Sequence, residues 1–336
     1  MTNIIILSLI IITLCANIIL LIWPYKSANF LKILDDPSKL NKIHKIPIPK
    51  LGGVLIFTFF TLSYLINYYL NPDLDFILFK FNVFIFIFFY FLIGYFDDLY
   101  DLSALFRVIF FLTITTFYLI LDEETVLTKI YFEYFDTAIN FGSLGFIFTL
   151  FCFIFLQNSL NMIDGINGLL LIISISIFTI ITIINFKIFF IFFILYLLIL
   201  IIYNLKNYLF LGNNGSSILS AIIGFTLIKT HIIFPIEFSA EKIFLLMLLP
   251  SIEVLRLFFL RIKNSKSPFA GDLNHFHHVV LLKIDSFYWL ISIFLINNIN
   301  YFLSFYINTY IIIFINIAIY LYLLKKMKNY DIIKKY

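Results

Sequence analysis

Three carboxylates fall within five residues of the stretch GYFDDLYD, residues 94–101, at Asp97, Asp98 and Asp101. Apolar runs of about twenty residues flank this stretch on both sides, which is the length of helix that crosses a bilayer. A charged group at the bilayer centre costs at least about 2.5 kcal/mol, so the carboxylates are expected at a membrane surface or in a wet cavity. Adjacent carboxylates repel each other, which raises a pKa or favours a bound metal ion. The alternative is a polar turn between two spans.

The composition of the chain is that of a membrane protein. Of its 336 residues, 62% are hydrophobic and 12% are charged, and the mean hydropathy is +1.05. About 25% of the residues in a soluble domain are charged, so a soluble globular class is excluded. Cys15 and Cys152 both lie in apolar runs, and they predict neither a disulfide framework nor a thiolate metal site.

We predict an all-α polytopic protein with about eleven transmembrane helices. The apolar runs lie at about 4–23, 51–71, 76–96, 102–121, 142–158, 168–185, 187–204, 209–229, 242–260, 286–297 and 301–324. The whole chain, 1–336, is predicted to be one membrane-embedded domain. Its motifs occupy about 36–278, and the last two helices and a basic tail occupy 279–336.

The basic residues predict the orientation. With the N-terminus outside, most of the 23 Lys and Arg residues fall in segments on the cytoplasmic side, whereas the largest outer loop, 122–141, is acidic. By the positive-inside rule, the N-terminus is outside and the C-terminus is cytoplasmic. The same orientation places five polar clusters on the cytoplasmic face, at about 42–45, 97–101, 158–168, 212–216 and 275–278. Such a distribution indicates one active site at that face.

Two of these clusters offer oxygen ligands or a helix N-terminus. Asn158, Asn161 and Asp164 follow the spacing i, i+3, i+6, which places them on one side of a helix end. Amide and carboxylate oxygens suit Mg²⁺, but a capped break between two spans is the alternative. The Gly212–Ser216 stretch opens a span, where phosphate or metal can bind. Asparagine is also ordinary in tight turns.

The basic clusters are open to several interpretations. Residues 261–278 hold three of the five histidines beside Arg261, which is consistent with a transition-metal site, a phosphate or nucleotide clamp, or accidental clustering. The Lys-rich segment 39–53 predicts either attraction to anionic lipids or binding of a lipid phosphate. Arg107, at the cytoplasmic end of the fourth span, would bind the same phosphate.

At these residues the chain resembles the polyprenyl-phosphate N-acetylhexosamine-1-phosphate transferases, from about Asp36 to His278. The matching motifs, in the family's order, are Asp36-Pro37 with Lys42-x-His44 and Pro49 to Gly53; Gly94-x-x-Asp97-Asp98 with Asp101-Leu102 and Arg107; Asn158-x-x-Asn161-Met-Ile-Asp164-Gly165; the Gly-x-x-Gly-Ser turn of 212–216; and Arg261 to Phe269 with Asp272 and the His-x-His-His of 275–278. Together, in order and on one membrane face, they are specific.

The resemblance implies the reaction. It implies a cytoplasmic site in the bacterial inner membrane, Mg²⁺ or Mn²⁺ as cofactor, and transfer of a sugar 1-phosphate from a UDP-sugar to undecaprenyl phosphate with release of UMP. GlcNAc-1-phosphate is the expected group, transferred in the first membrane step of a cell-surface polysaccharide such as O-antigen. Membrane lipids are expected partners, nucleic acid is not, and a homodimer is left open.

The resemblance also implies roles for individual residues. Asp97 and Asp98 are assigned to catalysis, Asp97 activating or positioning the lipid phosphate. The metal set is Asp98, Asn161 and Asn213. The nucleotide-sugar set is Asn158, Asp164, Arg261, His275, His277 and His278. The lipid-phosphate set is Lys42, His44, Lys45 and Arg107.

Three positions depart from the family pattern. The family usually has Asp at the positions of Asn213 and Asn167, and often at that of Glu253. At position 213 that Asp is a metal ligand, and hard cations prefer carboxylate oxygen. Two other classes therefore stay as alternatives. One is a weak or silent relative that binds polyprenyl phosphate or acts as a scaffold. The other is a transporter or flippase, which would place ionisable residues near the bilayer midplane.

Overall fold

Helices form most of the chain in the structure, a computed structural model that describes residues 2–37, 46–70, 80–185, 187–263 and 285–327. Thirteen α-helices lie in these ranges: α1 Thr2–Ile22, α2 Pro24–Phe30, α3 Gly52–Leu70, α4 Phe81–Tyr100, α5 Ala104–Leu121, α6 Leu144–Ile163, α7 Leu169–Ile184, α8 Ile188–Leu205, α9 Gly212–Ile233, α10 Ala240–Leu246, α11 Leu248–Lys263, α12 Ser286–Leu303 and α13 Thr309–Met327. Helices dominate because a chain in lipid must satisfy its backbone hydrogen bonds internally.

The helices agree with a multi-pass membrane protein. Six described helices are long and apolar enough to cross a membrane, or up to eight spans if each of two bent helix pairs counts as one. The bends are 110° between α1 and α2 and 77° between α10 and α11. Helices α3, α7 and α13 contain shorter apolar stretches. The prediction of an all-α membrane protein is confirmed, whereas the count of eleven spans and the orientation stay predictions.

Large apolar side chains on the helix surfaces support the same conclusion. Phe314 is 73% exposed, Phe117 64% and Phe151 62%. Soluble proteins rarely expose contiguous apolar surface on this scale. These side chains are suited to contact with lipid.

The described residues divide into two compact units. The first comprises Met1–Val126 and Phe146–Thr226, and the second Leu127–Gly145 and Leu227–Tyr336. In the first unit α1 packs on α3, α4 on α5, and α7 on α8. Aromatic side chains fill its core: the Phe86 ring stacks on Tyr118 at 4.4 Å, and its edge meets Phe153 at 5.3 Å. Large buried rings of this kind contribute much of a core's stability.

Two short antiparallel ribbons lie in segments that the sequence predicts to be loops. In the first unit, β1 Leu34–Asp35 pairs with β2 Ile48–Pro49. In the second unit, β3 Lys129–Phe132 pairs with β4 Thr137–Asn140, with Lys129 opposite Asn140. Both ribbons are too short for a clear period-2 pattern of apolar residues, which is why the sequence did not reveal them.

Buried polar contacts hold the β3–β4 ribbon to the helices of the second unit. The Tyr134 N–H donates to Glu241 Oε1 at 3.0 Å. Lys242, whose side chain is fully buried, pairs with Glu133 at 2.8 Å and lies 3.9 Å from the centre of the Phe305 ring. A buried ammonium requires such partners. Residues 127–141 of the acidic loop predicted from the sequence therefore form part of this unit.

Candidate active site

Asp97 and Asp98 lie in the last turn of α4. The sequence predicted a loop after a span that ended at about residue 96, and that boundary was wrong because the helix continues to Tyr100. Asp101 ends the helix in the left-handed conformation, with φ 51°, and its N–H donates to the Asp97 carbonyl at 2.9 Å. Consecutive residues on a helix point about 100° apart. The two carboxylates consequently have different partners.

Asp97 is paired with Arg107. Arg107 Nη1 donates to Asp97 Oδ2 at 2.7 Å, across the turn between α4 and α5. Ser103 caps α5 by accepting a hydrogen bond from the Phe106 N–H at 3.3 Å, which fixes the start of the helix that carries Arg107. The Asp97 side chain is buried, but that of Arg107 is 25% exposed. A predicted catalytic residue and a predicted phosphate-binding residue thus lie together.

Asp98 holds the N-terminus of α9. Its Oδ1 accepts the Asn213 N–H at 3.1 Å, and its Oδ2 accepts the Asn214 N–H at 2.9 Å. The Asn214 side-chain amide also donates to Oδ2. A helix N-terminus carries a partial positive charge, which favours a carboxylate at this position. The predicted start of a helix at Gly212 is confirmed.

Lys50 completes this cluster and was missed as a site residue in the sequence. Its Nζ lies 3.4 Å from Asp98 Oδ1 and 3.2 Å from Asp35 Oδ1. Burial alone would lower the pKa of Lys50, but the Asp98 and Asp35 carboxylates outweigh it and raise that pKa above its ordinary value. The only signal in the sequence was the position of Lys50 inside the motif Pro49 to Gly53. Asp35, beside the motif residue Asp36, gave none.

Glycines allow the three chain segments to meet. A Cβ at Gly94 would lie 2.4 Å from the Asn213 carbonyl oxygen, and one at Gly53 would lie 2.4 Å from the Gly215 nitrogen. Both distances are too short for nonbonded contact. The Gly53 N–H also donates to the Leu211 carbonyl at 3.2 Å. Only residues without a side chain permit this approach of α3 and α4 to the start of α9.

The α6 cluster lies beside the same helix start. Ser216 Oγ donates to Asn161 Oδ1 at 2.8 Å and to the Asn213 carbonyl at 3.2 Å. The Asn158 side chain instead donates to the Ile154 carbonyl of its own helix at 2.9 Å. Asn161 and the Asn213 backbone therefore share a contact with Ser216, whereas Asn158 bonds within α6.

Asp164 follows α6, in the turn that leads to α7. Desolvation in this turn, together with the negative charge of Asp98, raises the pKa of the Asp164 carboxyl well above its ordinary value. The turn is fixed by the Gly168 N–H, which donates to Asn204 Oδ1, and by Asn167 Nδ2, which donates to Asn207 Oδ1 at 2.7 Å. Asn167, where the family usually has Asp, thus has a structural contact here.

The oxygen donors suit a cation that brings further ligands with it. Among the described residues, no three His, Cys, Asp or Glu side chains are grouped to hold a metal ion. Mg²⁺ commonly needs only one or two protein carboxylates, with water and substrate phosphates completing its shell. The side chains of Asp164, Asn161 and Asn213 carry oxygen donors of the kind that such an ion takes. Asp98 is also a carboxylate that could bind a cation. However, both its oxygens already accept hydrogen bonds, and Oδ1 also pairs with Lys50.

Seven predicted site residues lie in the second unit or outside the described residues. Arg261 belongs to the second unit, where it is buried in the last turn of α11. Glu253, another departure from the family pattern, also belongs to that unit and pairs with Arg256 at 2.6 Å. Six further predictions fall outside the described residues: Lys42, His44, Lys45, His275, His277 and His278.

Comparison with known proteins shows which family the chain is similar to. Residues 80–231 match the family model described as glycosyl transferase family 4. The chain is also 26% identical, over 273 residues, to the undecaprenyl-phosphate alpha-N-acetylglucosaminyl 1-phosphate transferases of Salmonella typhi and of Salmonella typhimurium strain LT2. Each match covers 76% of this chain and 71% of the relative. The family match covers 152 of the 336 residues, and together with the two relatives it supports the polyprenyl-phosphate HexNAc-1-phosphate transferase family.

The same matches support an enzyme, a phosphoglycosyl transferase. The matched segment begins at Lys80 and ends at His231, so it contains α4 to α8 and all but the last two residues of α9. These helices carry Asp97, Asp98, Arg107, Asn161 and Asn213. Lys50 and Asp35 precede the matched segment.

Proposed function

We propose that this transferase moves HexNAc-1-phosphate, with GlcNAc-1-phosphate as the first candidate, from a UDP-sugar to undecaprenyl phosphate. The products would be undecaprenyl-diphosphate-sugar and UMP. The name of the two Salmonella relatives supports the lipid acceptor and the sugar. The observation that carries the proposal is the Asp97–Arg107 pair, which lies one residue from the carboxylate that holds the N-terminus of α9. The Arg107 guanidinium, which would bind a phosphate, and the Asp97 carboxylate, which would orient it, are therefore adjacent.

The reaction joins two anionic phosphates. An oxygen of the lipid phosphate attacks the sugar-bearing β-phosphorus of the UDP-sugar, and the bond from that phosphorus to the bridging oxygen breaks to release UMP. Because there is little covalent chemistry for the protein to perform, positioning and charge neutralisation dominate catalysis. The protein must therefore supply positive charge and fixed geometry.

Arg107 and Asp97 suit the acceptor half of this reaction. A guanidinium has five N–H donors, and Asp97 takes one of them at 2.7 Å. The remaining donors of the 25% exposed Arg107 are suited to the lipid phosphate. Asp97 would hold the guanidinium in place and accept a proton from, or orient, the attacking phosphate.

Asn161, Asn213 and Asp164 suit the donor half. They would hold a divalent cation, Mg²⁺ or Mn²⁺, which when bound neutralises the pyrophosphate. The predicted binding of the nucleotide sugar by Asn158, Arg261 and the histidines of 275–278 belongs to the same proposal. We also propose that the whole chain acts as one transferase domain in the bacterial inner membrane, with this site on the cytoplasmic face.

The deciding experiment is UMP release by the purified full chain. The assay contains undecaprenyl phosphate, UDP-GlcNAc and Mg²⁺, with other UDP-sugars and Mn²⁺ in parallel. We expect release that requires both the lipid and the divalent ion, with the best substrate identifying the sugar. Absence of release with every sugar, from folded protein that still binds the lipid, would contradict the proposal.

That negative result would favour the second candidate function, a silent relative that binds polyprenyl phosphate or acts as a scaffold. The observation that favours it is the set of amide ligands, since Asn213 has no charge to offer a cation. Asn213→Asp separates the two: activity gained by this variant indicates a weak enzyme, and continued inactivity with lipid binding indicates a binder.

A further inference from the structure

We propose that a cleft between the tip of the β3–β4 ribbon and the start of α13 binds one molecule of phosphatidylethanolamine, a phospholipid with an ammonium head group. The cleft has a volume of about 450 Å³, which is within the range of pockets that hold small ligands. It lies entirely in the second unit, and its lining residues are Tyr134, Phe135, Asn308, Tyr310, Ile311 and Phe314. This inference goes beyond the proposed function and does not depend on it.

The cleft lies at one end of a membrane-spanning helix. It is next to the turn that joins α12 to α13, and α12 is long and apolar enough to cross a membrane. The turn contains the exposed side chain of Tyr306, and an exposed turn does not occur within the hydrocarbon region of a bilayer. The cleft is therefore at the level of the lipid head groups, where tyrosine is enriched.

Three aromatic rings that meet edge to face form one side of the cleft. The centroid of the Tyr134 ring lies 5.0 Å from that of Phe135, with the planes 82° apart, and 5.4 Å from that of Tyr310, with the planes 78° apart. The Phe135 and Tyr310 centroids are 6.2 Å apart. The negative face of an aromatic ring attracts a cation, and clustered rings are a common means of binding ammonium groups. The ring cluster therefore favours the ammonium group of ethanolamine.

The charge next to the rings has the sign that an ammonium group requires. None of the six described lining residues is charged. Glu241 is buried beside them: its Oε1 accepts the Tyr134 N–H at 3.0 Å, and its Oε2 has no hydrogen-bond partner among the described residues. Glu241 is also close enough to Tyr310 to act on it electrostatically. The neighbouring cation, Lys242, is paired with Glu133, so an anionic head group would be repelled by the Glu241 carboxylate.

The other lining residues suit the phosphate and an acyl chain of the same lipid. Asn308 precedes α13, and its Oδ1 accepts the Tyr310 N–H at 2.9 Å. The first N–H groups of a helix attract an anion, so the lipid phosphate would lie at the start of α13, near the Asn308 amide. Ile311 and Phe314 follow in α13 and are exposed, which gives an acyl chain an apolar surface. The sequence of ammonium, phosphate and acyl chain in the lipid thus matches the sequence of rings, helix start and apolar side chains.

Native mass spectrometry of the purified full chain tests this inference without any turnover. The protein is titrated with phosphatidylethanolamine or with phosphatidylglycerol of the same acyl chains, which is anionic. We expect phosphatidylethanolamine to bind at least about fivefold more tightly, which is the scale of one cation–π contact. Tyr310→Leu with Phe135→Leu removes two rings and should abolish this preference. Tyr306→Leu, the same change at the exposed turn, is the matched control and should retain it.

A second variant keeps the test valid if the loss of two rings prevents folding. Glu241→Gln retains an oxygen that can accept the Tyr134 N–H but removes the charge, so the preference for phosphatidylethanolamine should fall at least about threefold. Equal binding of the two lipids by the unaltered protein, or an unchanged preference in either variant, would overturn the proposal.

A second copy of the chain is the other candidate occupant of the cleft. In that case Tyr310→Leu with Phe135→Leu would dissociate a dimer and leave the lipid preference unchanged, which would also overturn the proposal. Because lipid binding is measured and UMP release is not, this result is independent of the proposed function.

Discussion

Arg107 Nη1 lies 2.7 Å from Asp97 Oδ2, although ten residues separate the two side chains in the sequence. The contact places the guanidinium beside Asp97, which, unlike Asp98, makes no described contact with α9. A phosphate that binds Arg107 would therefore lie close to Asp97. This pair is the most direct test of the proposed acceptor site.

Asp97→Asn should reduce UMP release by at least about 100-fold, because the amide can neither accept a proton nor balance the charge of Arg107. Insertion in the membrane should be unaffected. Asp136→Asn is the matched control. It replaces a carboxylate by an amide in the same way, at an exposed turn where asparagine tolerates the left-handed φ of 45°. Full activity in Asp97→Asn would remove Asp97 from the mechanism.

Asp98→Asn should destabilise the protein by about 3 kcal/mol or more. The change leaves Lys50 without one of its two carboxylates and removes charge from the N-terminus of α9. Thermal unfolding in detergent measures the effect. Glu124→Gln, at the exposed Lys80 pair, should lower the free energy of unfolding by less than about 1 kcal/mol. Equal losses in the two variants would mean that the buried cluster stabilises the fold no more than an exposed pair does.

Gly94→Ala should lower both stability and activity. Its new Cβ would collide with the Asn213 carbonyl, and overpacking of this kind costs about 1–3 kcal/mol. Because the collision pushes α9 away from Asp98, UMP release should fall further than the loss of folded protein explains. Gly142→Ala is the control: it has φ +50° but no atom within 4 Å of the new Cβ. That variant should lose about 1–2 kcal/mol from backbone strain and retain its activity per folded molecule.

Asp164→Asn should stabilise the unliganded protein at pH 8. The pKa of the Asp164 carboxyl is raised in the folded state, so its protonated form favours folding. That contribution is complete below the unfolded pKa of about 3.9 and is lost as pH rises through the folded pKa. The advantage of the variant should therefore shrink as pH falls from 8 towards 4.

Unfolding midpoints at several pH values measure this difference. Lys50 also has a raised pKa, but its contribution is constant in this window because it is lost only above about 10.4. UMP release by Asp164→Asn should be lost at every pH, because the substitution that stabilises the protein also removes a proposed cation ligand. An advantage that does not depend on pH would show that the carboxyl does not titrate there.

Much of this arrangement was predictable because it depends on composition and local spacing. Apolar runs predicted helices at most of the observed positions, and the glycine-flanked turn predicted the start of α9. The boundary of α4 was missed because hydropathy ends a span at the first charge, whereas the helix ends at the left-handed Asp101. Asp97 and Asp98 were therefore predicted in a loop but lie in a helix.

The remaining parts of the site depend on contacts between distant segments. Lys50 meets Asp98 only because the β1–β2 ribbon and α4 both approach the start of α9. One lysine among the four of segment 39–53 gives no sign of such a partner. Asp35 was likewise hidden, since its role depends on the position of Lys50 and not on its own neighbours in sequence.

The close approach at Gly53 and Gly94 has a consequence for transplanting this chemistry. The polar residues around Asp98 come from the β1–β2 ribbon with Lys50, from α4 and from α9. Their mutual distances are set where backbone atoms of α3, α4 and α9 are in direct contact. Grafting the aspartates, asparagines and arginine onto another helical membrane scaffold would reproduce the functional groups but not their spacing. A designer would have to copy two positions where the side chain is a hydrogen atom before any of the charged ones became useful.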